Sequence, residues 1–334
     1  MNGHHSYNNL PQNTSTPRKV WRKVYKTIVI DSRDRQVTTS SSPGSYSVVF
    51  PTVYSNIYSI TLRSYEVPFT YNQFSACQNN TSFTMSYTPL GGSSSNRTIT
   101  VPDGNYTITT LPAFLTQNMN MAFGTTTSMP LNAYWNGTSG LLSLYSSVSG
   151  DAFSVNFTAS QAINCGAGVN TTYSTGWGLG YLLGFYQSNY VSSNTSIYTA
   201  ASTVSAGVYP NITGNFNMNT NPDTYILLDI QGLNKIDETG IDSRISGRID
   251  GAFAKVPLTN NTGEYLFFQD NSGPSPLNRR IYNPPISKLD RITVRWRRHD
   301  GRTIDFNGSE HSFTLEFELL DNNFDEYSSL EFSR

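Results

Sequence analysis

The groups in this chain that could do chemistry are few: four histidines, two cysteines and scattered carboxylates. The most suggestive spacing is near the C-terminal end, where His299 and Asp300, then Asp305, then Glu310 and His311 follow one another. A metal site or an acid–base pair would need these groups to converge. Asp300–Gly301 and Asp305–Phe306–Asn307–Gly308 are, however, hairpin-turn signals, in which Asp, Asn and Gly serve backbone geometry. Both histidines are therefore read as structural. Asp237, Glu238, Asp242 and Asp250 share a loop with Arg244 and Arg248, without the spacing of a calcium-binding EF-hand, which points to local ion pairing. Gly176, Gly178, Gly180 and Gly184 copy only the glycines of a phosphate loop, with no βαβ unit around them. There is no nucleophile elbow, zinc-protease helix or P-loop motif. Cys77 and Cys165 are far apart and form no CxxC pair, so two free thiols are expected. The expectation is a protein without catalysis, cofactor or metal.

The elements that would position such groups are strands. Of the 334 residues only 13% are charged, against the ~25% usual in soluble domains, while another 13% are aromatic. That balance argues against a disordered chain or a coiled coil. The formal net charge is −1, which excludes a bulk nucleic-acid binder and leaves no specific nucleic acid among the expected partners. No apolar run reaches the ~18 residues of a membrane helix, and the first residues, MNGHHSYNN, lack a charged region followed by an apolar one, so no secretory signal is expected and synthesis in a reducing cytoplasm is. Period-2 alternation marks strands at 24–30, 45–50 (stopped by Pro51), 58–67, 82–88, 97–101, 224–230, 253–256, 265–268, 291–298 and 312–320. Residues 139–145 and 153–157 read as a hairpin. One helix is expected at 111–122, capped by Thr110, and a shorter one near 177–185. Many short strands separated by turn signals indicate an all-β chain, a single jelly-roll β-sandwich with an inserted smaller mixed subdomain.

Charge sets the expected boundaries. Between Asn105 and Pro222 the only charged residue is Asp151. An uncharged insert is therefore placed at 89–210, within a sandwich formed by 26–88 and 211–334. Residues 1–25 read as a flexible basic arm. Arg18, Lys19, Arg22 and Lys23 within it could dock on an acidic partner or an inner membrane. Near the C-terminal end, Ile292, Val294 and Trp296 alternate with Arg291, Arg295 and Arg297. This arginine row is the candidate subunit interface, unless Glu316 and Glu318 satisfy it across neighbouring strands. Lysine is scarce beside arginine and tyrosine, the bias of a chain that makes protein–protein contacts.

Several stretches resemble a known family. They are Ile30-Asp31-Ser32-Arg33-Asp34-Arg35, Tyr46 to Pro51, Asn56 to Leu62 leading to Glu66-Val67-Pro68, and Asn79-Asn80-Thr81. Val101 to Tyr106, Leu182-Leu183-Gly184-Phe185, Asp300-Gly301, Asp305 to Gly308 and Glu310-His311-Ser312-Phe313 complete the set. In this order they resemble the penton and minor capsid proteins of large icosahedral double-stranded DNA viruses. The resemblance implies a jelly roll, a structural role and a place in the virion. The chain is too short for a double jelly roll, which suits a five-fold vertex subunit that assembles as a homopentamer beside the major capsid protein and other minor capsid proteins. Other readings are a minor capsid or cement protein between capsomers, or a carbohydrate-binding β-sandwich in which exposed Tyr and Trp stack on sugars.

Overall fold

The computed structural model describes residues 22–38, 41–158, 178–196, 208–236, 251–260, 262–270, 278–299 and 301–321. Arg18, Lys19, Cys165, Asp300 and the acidic loop from Asp237 to Asp250 lie outside them. Two strands organise the first core. β2 (Ser45–Pro68) runs for 24 residues and β14 (Arg279–Arg297) for 19. They pair antiparallel along most of their length, with register breaks between Ile281 and Ile286 and between Leu289 and Arg291. Asn56 sits between the two halves of β2 with φ +54°, and bulged positions of this kind bend a strand. Each strand therefore contributes one half to each of two sheets.

In one sheet, β1 (Arg22–Asp31) pairs with β15 (Ser312–Asp321), and β15 pairs with the second half of β2. That half of β2 continues to the first half of β14 and to β13 (Tyr265–Gln269). In the other sheet, the first half of β2 pairs with the second half of β14, followed by β11 (Tyr225–Ile230) and β12 (Ala254–Pro257). This is the strand order of a jelly roll, whose two four-stranded sheets close over one core. The core contains Ile30, Leu62, Val67, Ile226, Leu228, Val294, Trp296, Phe313, Leu315 and Phe317, all buried. Pro51 was expected to stop a strand, yet β2 runs through it. The register slips there, from Val49 opposite Arg291 to Tyr54 opposite Leu289, so no ladder bond is asked of a residue that lacks an amide hydrogen.

The chain between β2 and β11 builds a second core. β3 (Ser82–Thr88) pairs with β4 (Ser95–Thr100) and with β7 (Ala152–Asn156), and β8 (Asn189–Val191) completes that sheet. A second sheet joins β5 (Leu131–Trp135), β6 (Leu142–Ser146), β10 (Val208–Thr213) and β9 (Ser193–Ser196) in that order. Helices α1 (Thr110–Phe123) and α2 (Leu179–Leu182) pack with them, and Phe83, Met85, Leu115, Leu144, Phe153, Leu183, Ile212 and Met218 are buried together. Three sequence readings change here. β3 and the stretch from Asn211 through Met218, assigned to the sandwich on charge, belong to this second core, because charge marks a surface and not a pairing. The expected hairpin of 139–145 with 153–157 is absent: β6 and β7 lie in different sheets. Thr110 is the first residue of α1 and not its cap; its hydroxyl accepts from the Thr107 amide while the Thr107 hydroxyl accepts from the Thr110 amide. That reciprocal arrangement has the bonding pattern of a capping box, built from two threonines.

Cys77 is disulfide-bonded and, among the described residues, no cysteine is free, which corrects the expectation of two free thiols. Disulfide formation depends on Cα atoms brought within ~4.4–6.8 Å, and that separation is set by tertiary structure, not by sequence spacing.

One arginine holds the two cores together. Arg298 follows β14 and is 7% exposed. Its guanidinium donates to the Asn72 carbonyl at 2.9 Å and the Gln78 amide oxygen at 2.9 Å, both on the segment entering the second core. It also pairs with Asp223 at 2.8 Å on the returning segment, and it lies over the Tyr71 ring at 4.6 Å. Removing a buried cation of this kind breaks its bonds to Asn72, Gln78 and Asp223 together. Arg298→Ala is expected to lower unfolding free energy by about 3–5 kcal/mol, and Arg298→Lys to recover little of it, because an ammonium cannot reproduce the planar fork. Urea unfolding followed by tryptophan fluorescence measures both.

Candidate assembly surface

The family-like stretches converge on two places. At the first, β1 and β15 end side by side, with Asp31 opposite Ser312. The Ser32 hydroxyl donates to Glu310 at 2.5 Å, and Arg35 Nη1 donates to the same carboxylate at 2.7 Å. The Ser32 amide donates to the His311 carbonyl, and the His311 amide to Ser32 Oγ, each at 2.9 Å. Burial pushes the Glu310 carboxyl upward, but the hydrogen bonds from Arg35 and Ser32 outweigh it and hold the group below its ordinary range. His311 itself is 3% exposed and is surrounded by Tyr46, Trp296, Phe306 and Phe313. Its Nε2–H donates to the Pro43 carbonyl at 2.8 Å.

The second place is the segment between the cores. Asp103 accepts from the Ala76 amide and the Ser75 hydroxyl. Asn105 accepts from the Gln73 amide at 2.7 Å and donates to the Tyr71 carbonyl. Asn80 accepts from the Ser75 amide and donates to the Gln73 carbonyl. The mid-chain glycine has a backbone reason too. Gly184 has φ +93°, and a Cβ there would lie 2.2 Å from the Phe216 carbonyl oxygen. These stretches hold backbone in place; they do not assemble reactive groups. His299, read as structural, accordingly shares a 2.8 Å hydrogen bond with the Tyr225 hydroxyl. The Asp305 turn carries an Asp305 carboxylate accepting from the Asn307 amide.

The arginine row does not present a free surface. The row lies on the second half of β14, opposite Val49 to Ser45, whereas Glu316 and Glu318 lie opposite Thr61 and Ser59, beside the first half. Glu316 pairs with Arg63 at 2.7 Å, and Glu318, 2% exposed, takes Lys23 at 2.7 Å together with Arg279. Arg295 instead lies directly opposite Asp229 of β11 and pairs with it at 2.8 Å. Arg297 is 4% exposed and sits 3.7 Å from the same carboxylate. Asp229 was not anticipated; its sole sequence signal is an acidic residue in the apolar run Tyr225–Ile230. Arg291 alone of the row is well exposed, near Asp290 at 3.9 Å. The bounds expected for the arm, 1–25, overlap β1. Arg22 and Lys23 already belong to β1, opposite Asp321 and Leu320, and the Lys23 ammonium is engaged by Glu318 and lies 5.5 Å from the Tyr58 ring centre.

The first sheet also exposes large apolar side chains, at its two borders. On its outer face, Tyr25 and Val29 project from β1, and Tyr265 and Phe267 from β13, with Phe267 72% exposed. Between them runs a belt of hydroxyls and ion pairs: Ser64 with Thr314, Arg63 with Glu316, and Glu318 with its two cations. Chemically, this arrangement offers association area and no reacting atoms.

No family model matches the sequence. The chain is similar to the Penton capsid protein P1 of Paramecium bursaria Chlorella virus 1, with 32% identity over 96 residues, which is 28% of this chain and 54% of that protein. It thus spans about half the length of that curated relative, and the resemblance to penton and minor capsid proteins holds. Among solved structures, the selenomethionine-labelled mavirus penton protein gives a TM-score of 0.46 at 10% identity, covering 89% of this chain and 99% of that one. A chain of the Sputnik virophage cryo-EM structure gives 0.40 at 13% identity, covering 91% and 99%.

Two outcomes follow from the charges. Arg295→Glu with Arg297→Glu would set three carboxylates together, so it should destabilise the subunit itself by about 3–5 kcal/mol in urea, whereas Arg291→Glu should stay within about 0.5 kcal/mol. His311 gives a pH dependence. Burial pushes its pKa from 6.5 down to about 4, against a smaller upward pull from the Pro43 hydrogen bond. The unfolded chain therefore binds a proton between pH 6.5 and about 4 that the folded chain refuses. Stability contributed by neutral His311 is complete above pH 6.5 and should fall by roughly 3 kcal/mol as pH drops toward 4. Unfolding midpoints measured from pH 7 to 4.5 should show this fall, and His311→Gln should flatten it.

Proposed function

We propose that this chain is a structural subunit of the capsid vertex of a large DNA virus, and that five copies close into a ring. The observation that carries the reading is the sequence similarity to a penton capsid protein, together with a single jelly roll in the same chain. The protein acts by assembly and not by catalysis. Its partners are copies of itself, the major capsid protein and other minor capsid proteins. It is made in the host cytoplasm and ends in the virion, where a disulfide persists more readily than in reducing cytosol. Arg18 and Lys19, ahead of β1, are proposed to dock on an acidic partner.

A closed ring needs two different surfaces per subunit, each meeting the other on the next copy. The two apolar borders of the first sheet supply such a pair, Tyr25 and Val29 on one side, Tyr265 and Phe267 on the other. This replaces Arg295 and Arg297 as the proposed contact, since their charges are matched within the subunit. Multi-angle light scattering should give a mass about five times that of the monomer. Phe267→Ser or Val29→Ser should return it to monomer with unchanged β-type circular dichroism. A strict monomer at micromolar concentration that forms no ring with the major capsid protein present would overturn the vertex reading; a monomer that binds between capsomers would place it as cement.

A further inference from the structure

The uncharged insert carries a surface that the ring does not use. In the sheet of β5, β6, β10 and β9, one face supplies Leu131, Leu142, Leu144 and Ile212 to the second core. The other face looks away from it. Asn132 lies opposite Tyr145, and Tyr145 lies opposite Asn211. Period-2 alternation then puts Tyr134 of β5 and Tyr209 of β10 on the same face, on opposite diagonals of Tyr145. Diagonal neighbours stand about 7–8 Å apart, so the three tyrosines form a row about 15 Å long across three strands. All three are partly exposed. Burial raises the Tyr145 phenol above its ordinary range, with smaller contributions from the nearby Tyr209 and Tyr134 hydroxyls, which places the three as one cluster.

The floor between the rings is built from neutral hydrogen-bonding groups. Ser143 and Thr213 share a hydroxyl–hydroxyl bond at 2.8 Å, and Asn211 Nδ2 donates to Thr195 Oγ1 at 2.6 Å. Asn132 stands beside them and donates to the Pro130 carbonyl at 2.8 Å. The only charge between Asn105 and Pro222, Asp151, is 5% exposed and belongs elsewhere, accepting from the Tyr87 and Ser146 hydroxyls and the Leu90 amide. Such a face offers no attraction to a phosphate backbone or an acidic peptide. Aromatic faces beside fixed hydroxyls and amides match a ligand with apolar C–H faces and many neutral hydroxyls.

We propose that Tyr134, Tyr145 and Tyr209, flanked by Asn132 and Thr213 and resting on the buried Ser143 and Asn211, form a binding platform for a neutral oligosaccharide. The rings stack on sugar faces, and the Asn132 amide, the Thr213 hydroxyl and the tyrosine hydroxyls reach the sugar hydroxyls. This goes beyond the vertex role and does not depend on it.

The test uses the full chain titrated with cellohexaose, laminarihexaose, mannohexaose and chitohexaose by isothermal calorimetry and saturation-transfer NMR, with heparin as the charged comparison. At least one neutral hexasaccharide should bind, and heparin should not. Tyr145→Ala and Tyr209→Ala should each weaken binding tenfold or more, Tyr145→Phe should keep most of it, and Tyr186→Ala, away from this face, should leave it unchanged. Circular dichroism checks that each variant folds, and Tyr134→Ala provides a third position if one does not. Absence of binding to all four sugars would overturn the proposal, as would equal binding of heparin or affinity untouched by all three alanine variants. Dissociation of the oligomer by Tyr145→Ala would overturn it too, by making this face a contact between copies.

Discussion

Two strands crossing from one sheet to the other are the constraint on which the structure depends. A jelly roll could be built from eight separate strands joined by corners. Here β2 and β14 each supply two of those lengths without leaving the ladder, and they bend where register slips near Asn56, Leu289 and Ile281. The sheets are then tied by continuous backbone, and their relative position is not left to side-chain packing alone. The ends of the same strands govern the insert. β2 leads to Tyr71 and Asn72, and β14 leads to Arg298, which grips that exit and the return at Asp223. Bending the long strands fixes where Arg298 stands, and Arg298 fixes how the second core is attached.

The two cores solve the cost of a buried carboxylate differently. In the jelly roll the answer is a cation: Glu318 lies under Lys23 and Arg279, and Asp229 lies between Arg295 and Arg297. Such pairs recover their desolvation cost only when geometry and further hydrogen bonds are good, and Ser59 adds one to Glu318 at 2.7 Å. In the insert, Asp151 receives only neutral donors. Neutral donors satisfy lone pairs without adding a charge that must itself be solvated. The stretch from Asn105 to Pro222 can therefore bury its one carboxylate and present no charge at its surface.

Much of this was legible in the residues. Period-2 alternation located most strands to within a few residues, because one face of each strand meets a core and the other does not. Ile292, Val294 and Trp296 are buried as their spacing demands. What escaped was pairing. Alternation says which face of 291–298 is inward but not which strand lies beside it, so Arg295 was matched with Glu316 or Glu318 when its neighbour is Asp229. The same gap made a hairpin of β6 and β7 and drew the insert's boundary by charge. Arg298 was invisible for another reason: its partners Asn72 and Gln78 lie on one connection and Asp223 on another, all far from it in sequence, and no local pattern joins them. Cys77 is the extreme case, since nothing in its surroundings in sequence signals a bond.

The distribution of charge also bears on how such a subunit would associate. Long-range steering needs charges that are not already matched within the subunit. The cations of the jelly roll described above are largely held by its own carboxylates. The insert has almost none to offer. Association through the borders at Tyr25, Val29, Tyr265 and Phe267 would then draw its free energy from apolar burial, which is non-directional and insensitive to modest salt. Direction has to come from shape: β1 is an edge strand, and its backbone groups impose an orientation on whatever pairs beside it. A platform of tyrosines on the insert would follow the same logic at smaller scale. With no charge to attract a ligand from a distance, recognition there would rest on contact alone, on ring faces and fixed hydrogen bonds, so selectivity would come from the shape and hydroxyl pattern of the ligand.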